Sequence, residues 1–214
     1  MANNLNTYFS VVFTHAQLNN IPYLSGYVGN RLDTFNFKLE YVQEKLNHLN
    51  MYKFTEPDLL HPRVLLTLED MLCRPLNHIF NKSAETGIIP ADWKFANVTK
   101  IHKKGDRQEP GNYRPISLTY VVCKTMQWLV KGKIITHHEG NNLIGHSQYD
   151  FKNKCSCLTS LLDFFASDID TYNVGNNKAV DLIYLDFQMA FDNVPHKRLL
   201  VKVMAHGIQG SEPN

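Results

Sequence analysis

The chain has 214 residues, 43% of them hydrophobic and 20% charged, with a formal net charge of +2. That balance excludes a disordered tail and a collagen-like or low-complexity chain, and the length suits one domain, or one and a half, with a core of useful size. A chain so close to neutral can attract a polyanion only through local clusters of charge. Its four cysteines, Cys73, Cys123, Cys155 and Cys157, include one close C-x-C pair and no second, so free thiols are expected rather than a disulfide scaffold or a zinc site. No leading apolar stretch reads as a signal peptide and no run is long enough to span a membrane; an intracellular setting, nuclear or cytoplasmic, is expected.

In chain order, Leu5, Tyr8, Phe9, Val12 and Phe13 recur at helical spacing and predict a short amphipathic helix. Residues 15–36, rich in Asn, Gly and Pro, read as loop. Over 38–50, Leu39, Val42, Leu46 and Leu49 share one helical face. A second helix should begin at His61-Pro62, with proline early in its first turn, and carry Val64, Leu65, Leu68, Leu72, Leu76, Ile79 and Phe80. Pro75 is expected to kink it and Gly87 to stop it. Core packing is the expected role of both helices.

The character then changes. Residues 96–102 alternate as a strand, Lys103–Asn112 carries turn chemistry, and Tyr113–Leu118 extends again, so a long hairpin is expected, with Pro115 marking an edge strand. Between Lys94 and Lys133 lie nine Lys or Arg and two acids, Asp106 and Glu109. A cluster of this kind is most often a solvated face; on a projecting hairpin it also suits phosphate.

Thr119–Glu139 reads as a helix with Val122, Met126, Leu129, Val130 and Ile134 on one side, ended by Gly140-Asn141-Asn142. A polar, aromatic and basic loop follows over 146–154, then a helix marked by Leu158, Leu161, Leu162 and Phe165. Leu182–Leu185 reads as a buried strand that ends on a carboxylate, Asp186, which is costly to bury unless paired or bound to a metal. Pro195 suits the first turn of a last helix running to about Ala205. His61, His78, His102, His137, His138 and His206 lack metal-ligand spacing and are read as surface or core residues.

The segments LIYLDFQMAFDNVPHKRLL, KIHKKGDRQEPGNYRP, GNYRPISL and HSQYDFKNKCSCLTSLL together resemble the reverse transcriptase of non-LTR (LINE, jockey-like) retrotransposons. HPRVL, IFNKSAETGIIPADWKFANV and LNTYFSVVFT resemble the region before the polymerase core in the same family. The resemblance runs from about Leu5 to Gly207. It implies an α+β fold: right-hand polymerase fingers plus a partial palm, preceded by a helix-rich N-terminal extension over 1–60. The partial reverse transcriptase domain would then occupy 61–214, through the strand that ends at Asp186 and the helix after it.

By that resemblance Asp186 is the catalytic carboxylate and one ligand of two Mg2+ ions. Taken alone, a strand-end or capping aspartate would be its commoner meaning. Phe191, five positions on, would lie under the sugar and exclude a 2′-hydroxyl, with ordinary core packing as the alternative, and Phe187 and Gln148 would also border the nucleotide. Lys100, or Lys103 and Lys104, together with Arg114 would grip the triphosphate. Arg107, Lys152 and Lys154 would contact nucleic acid. The implied partners are an RNA template, a DNA primer and deoxynucleoside triphosphates, with no membrane; the oligomeric state stays open. Asp192 is read as a cap for the following helix and Asp181 as a solvated strand entry.

The sequence also departs from the family. It has no adjacent pair of aspartates, so the second metal-binding element is expected to be lacking, as is the thumb, and the isolated chain to be inactive. Asp150 stands where the family usually has Gly, which puts a special backbone conformation in doubt. Met189 replaces a usual Lys, and Thr55–Leu59 replaces a Gly-rich loop. Two other expectations remain open: a non-catalytic RNA/DNA-binding or interaction module derived from a retroelement, and a chain that folds poorly because apolar strand edges stay unpaired.

Overall fold

A computed structural model of the chain describes residues 2–11, 29–52, 60–169, 181, 183–187 and 190–209. The chain forms two compact units, Met1–Asn141 with Phe191–Asn214, and Asn142–Ala190.

The first unit is built from helices and one hairpin. α1 spans Ala2–Val11, α2 Leu39–Asn47, α3 Pro62–Thr67 and α4 Glu69–Thr86; a 3₁₀ turn, Ala91–Lys94, leads into strands β1 (Asn97–His102) and β2 (Tyr113–Leu118), followed by α5 (Val121–Gly140). Its last helix in the sequence runs His196–Ala205. The expected helical stripe of α2 is real: Val42 and Leu46, one turn apart, are fully buried. They meet Cys73, Leu76 and Phe80 of α4, Leu129 of α5, and Phe37 from the preceding segment. Trp93 joins this core from the 3₁₀ turn, its ring 5.7 Å from that of Phe80.

Phe37 enters the core from irregular backbone, and its polar groups need partners there. Two asparagines of α4 supply them. The Phe37 amide donates to Asn81 Oδ1 (2.7 Å). The Phe37 carbonyl accepts from Asn77 Nδ2 (2.8 Å) and Asn81 Nδ2 (3.0 Å).

The helix expected from His61 is two helices. His61 Nδ1 accepts the Arg63 amide (3.1 Å) and Pro62 opens α3. The break falls at Leu68, while α4 continues through Pro75. Of the expected apolar stripe, Val64, Leu68 and Ile79 lie exposed. Gly87 ends α4 in the left-handed region (φ 69°), as its position predicts. Val12, Phe13 and residues 15–28 lie outside the described residues; of the predicted first helix, Leu5 is buried.

In the second unit, α6 spans Cys157–Asp163 and passes into a π-helical turn, Phe164–Ile169. Ser156 and Thr159 cap α6 reciprocally, and the Tyr149 hydroxyl donates to the Asp163 carboxylate. The apolar face of α6 stays open: Leu158, Leu161, Leu162 and Phe165 are exposed.

The expected buried strand is not formed. Residues 183–187 adopt no regular element, and Ile183, Tyr184, Leu185 and Phe187 are each more than 80% exposed; Leu182 lies outside the described residues. A strand is stabilised by ladder bonds and cross-strand contacts, and among the described residues β1 and β2 are bonded only to each other.

Candidate nucleic-acid interface

The basic hairpin is fixed at its base. β1 follows the 3₁₀ turn that carries Trp93, and β2 runs into α5, whose first turns bury Val121, Cys123 and Thr125. Burial pushes the Cys123 thiol up from its usual range, against the opposing pull of Lys124, so it is a packing group rather than a nucleophile.

The register pairs Lys100 with Pro115, Ile101 with Arg114 and His102 with Tyr113. Directly opposed residues share a face and successive residues alternate. Lys100, His102, Tyr113 and Pro115 therefore lie on one face, and Ile101, Thr99, Arg114 and Ile116 on the other. On the first face the Lys100 ammonium sits 5.0 Å from the centroid of the Tyr113 ring, and the His102 ring stands 5.2 Å from it. The two sequence-predicted triphosphate ligands Lys100 and Arg114 thus belong to opposite faces. The pairing continues one step beyond the strands, where the Lys103 amide donates to the Asn112 carbonyl (2.8 Å); alternation places Lys103 on the Arg114 face.

The connecting loop is held from within. Asp106 Oδ1 accepts the Gln108 amide (2.9 Å), Asn112 Nδ2 donates to the Asp106 carbonyl (2.9 Å), and the Tyr113 hydroxyl donates to the Arg107 carbonyl (2.8 Å). His102 Nε2 lies 3.1 Å from the Gly105 carbonyl; a carbonyl only accepts, so this nitrogen carries hydrogen. Lys103, Lys104, Arg107 and Arg114 are exposed and form no ion pair among the described residues. Four cations on one braced hairpin leave charge available to a polyanion. The asparagine and tyrosine that brace the loop were not singled out in the sequence, where turn composition marked the loop but not what holds it.

The remaining predicted residues belong mostly to the second unit. Gln148 is exposed and its Nε2 reaches the Asp150 carbonyl (3.4 Å). Lys152 is half-buried and Lys154 exposed. The left-handed backbone in this loop falls on Phe151 and Lys154 (φ 62° each), not on Asp150, so aspartate there forces no strained conformation. Asp186 is exposed within the irregular 183–187 segment, as is Asp181. Phe191, in the first unit, is 79% exposed and packs into no core. Asp192 does not cap the following helix, whose N-cap position is Pro195.

A carboxylate oxygen is the donor type that Mg2+ takes. The described residues nevertheless gather no group of three His, Cys, Asp or Glu able to hold a metal ion. They do not amount to a complete Mg2+ centre. Among them, no helix is long and apolar enough to cross a membrane.

Residues 101–211, about half of the chain, match the family described as Reverse transcriptase (RNA-dependent DNA polymerase). The chain is 31% identical over 170 residues to the RNA-directed DNA polymerase from mobile element jockey of Drosophila melanogaster, covering 77% of this chain and 18% of that protein. The jockey polymerase of Drosophila funebris is 29% identical over the same shares. The probable RNA-directed DNA polymerase from transposon X-element of Drosophila melanogaster is 27% identical over 58% of this chain and 14% of its own length. The chain spans about a fifth or less of these relatives. With the match extending from β1 to beyond the last helix, the chain belongs to the reverse transcriptase (RNA-dependent DNA polymerase) family, and its relatives are polymerases of jockey-like non-LTR retrotransposons.

Proposed function

We propose that this chain is the fingers and the beginning of the palm of a retrotransposon reverse transcriptase. It grips nucleotide and nucleic acid for RNA-templated DNA synthesis but does not complete the chemistry alone. The observation that carries this reading is the braced, exposed hairpin with Lys103, Lys104, Arg107 and Arg114, inside the family match. In this reading Lys103, on the Arg114 face, is favoured over Lys100 as a triphosphate ligand. The guanidinium fork suits phosphate oxygens and the ammonium adds a point charge.

Asp186 is proposed as the catalytic carboxylate and one Mg2+ ligand. Phe191 is proposed as the residue that excludes a 2′-hydroxyl, and Phe187 and Gln148 as neighbours of the nucleotide. Lys152, Lys154 and Arg107 are proposed to contact the backbone of an RNA template or DNA primer. Inactivity of the isolated chain is supported by two observations: among the described residues no group of three His, Cys, Asp or Glu could hold a metal ion, and residues 183–187 are exposed and outside any regular element.

Primer extension on an RNA template with Mg2+ tests this. The expected result is no product from this chain alone, together with RNA binding that weakens as salt rises. Extension that Asp186→Asn abolishes would overturn the claim of incompleteness. Absence of salt-dependent RNA binding would overturn the interface. A second reading, a binding module without catalysis, is favoured by one observation: the hairpin is formed while the Asp186 segment is not in a sheet. It predicts RNA binding that is indifferent to Asp186→Asn.

A further inference from the structure

We infer that Asn112 and Tyr113 are positioning residues that set the loop Lys103–Glu109 for a polyphosphate chain. The inference rests on the reading of the hairpin as a triphosphate site. Neither residue offers a cation. Each instead holds a carbonyl of the loop from the start of β2.

The Asn112 carboxamide faces the Asp106 carbonyl, which can only accept, so its nitrogen is the donor (2.9 Å). The Asn112 backbone carbonyl takes the Lys103 amide (2.8 Å). One residue thereby ties both arms of the loop. The hydroxyl of the buried Tyr113 donates to the carbonyl of Arg107 itself (2.8 Å), and its ring also carries Lys100 and His102. Gly105 shows how closely the loop is fitted around the amide. Its φ is +83°, and a Cβ there would lie 2.7 Å from Asn112 Nδ2. Only glycine allows both this backbone and this approach.

An exposed lysine or arginine loses rotamer and backbone freedom when it engages phosphate. Fixing the backbone beneath Lys103, Lys104 and Arg107 beforehand removes part of that loss, so affinity rises without a new contact. Tyr113→Phe is a narrow probe, since it deletes the bond to Arg107 and keeps the ring under Lys100.

The test is calorimetric titration of the full chain with inorganic tripolyphosphate at several salt concentrations, with amide hydrogen exchange on the same samples. Wild-type chain should bind. Asn112→Ala and Tyr113→Phe should each weaken binding about two- to tenfold, the loss of one hydrogen bond, and flatten the salt dependence as cations disengage. Amides of 104–109 should exchange faster while those of α4 and α5 keep their protection. Unchanged affinity and salt slope in both variants, with faster loop exchange, would overturn the positioning role while leaving the triphosphate reading intact. Loss of protection throughout α4 and α5 in both variants would also overturn it, by making the residues general supports of the fold. Failure of the wild-type chain to bind would overturn the triphosphate reading itself.

Discussion

His138 Nε2 stands 3.1 Å from His206 Nδ1, joining the last turn of α5 to the residue that ends the helix His196–Ala205. The neighbouring bonds assign the protons. His138 Nδ1 faces the Ile134 carbonyl (2.8 Å), so it is the donor and Nε2 carries the lone pair in the neutral ring. His206 Nδ1–H therefore donates to His138 Nε2. His137 Nε2 faces the His206 carbonyl (2.8 Å) and donates, while His137 Nδ1 lies 3.3 Å from Asn141 Nδ2 and accepts. Both nitrogens of His137 and of His138, and Nδ1 of His206, thus have partners that suit uncharged rings.

Acid should loosen this junction. Burial first, then the charges of His138, Lys202 and His137, hold His206 below the ordinary imidazole value of 6.5. The folded chain thus binds fewer protons here than the unfolded chain. The stabilisation is fully present above about pH 6.5 and is lost as pH falls through that value to the lower folded one. Thermal unfolding at pH 7.5 and at pH 5.5 should show a lower midpoint at the acid value, and His206→Gln should narrow the gap. The nearby tie between Leu32 and Gly207, amide to carbonyl at 2.9 Å, should lose exchange protection over the same range.

Phe80→Ala should be severely destabilising. The side chain is fully buried against Trp93 and the α2–α4–α5 core. Truncation removes its transfer free energy and leaves a cavity, about 3–5 kcal/mol in all. Denaturant unfolding measures this. A loss below about 1 kcal/mol would mean that the core collapses around the gap.

The helices were legible because burial follows a period that sequence displays. Val42 and Leu46 announce α2, Gly87 announces the end of α4, and strand alternation with turn residues announces the hairpin. The strap on Phe37 was not legible, because Asn77 and Asn81 act across about forty residues of separation and look like ordinary surface positions of a helix. The histidine junction was hidden for the same reason: His206 lies 68 residues from His138. The run Leu182–Leu185 misled because apolar β-formers state what a segment would bury, not whether a partner strand is present. At the candidate site the basic residues were visible by composition, but the division of Lys100 and Arg114 between two faces needed the register.

Gly87→Ala should cost about 1 kcal/mol. Its φ of 69° is left-handed, and a Cβ there meets the carbonyl that follows. The turn it permits lets Ser83 Oγ donate to the Ile88 carbonyl (2.7 Å), so both features should weaken together. Thermal melts of Gly87→Ala, of Ser83→Ala and of the double variant would show it. Coupled sites give a double variant that departs from the sum of the singles.

Leu185→Asp should leave the stability of this chain almost unchanged. A leucine buried between sheet and helix would lose about 2–4 kcal/mol on truncation alone, and more on burying a charge. Leu185 is 86% exposed, next to an exposed Asp186 and outside any strand, so the introduced carboxylate is solvated in the folded chain as in the unfolded one. The expected change is within about 0.5 kcal/mol, with higher solubility because one side chain leaves an exposed apolar run. Chemical denaturation of the two proteins side by side decides between the states. A loss of several kcal/mol would place the segment in a buried strand, as its apolar pattern suggests, and Asp186 at the end of that strand.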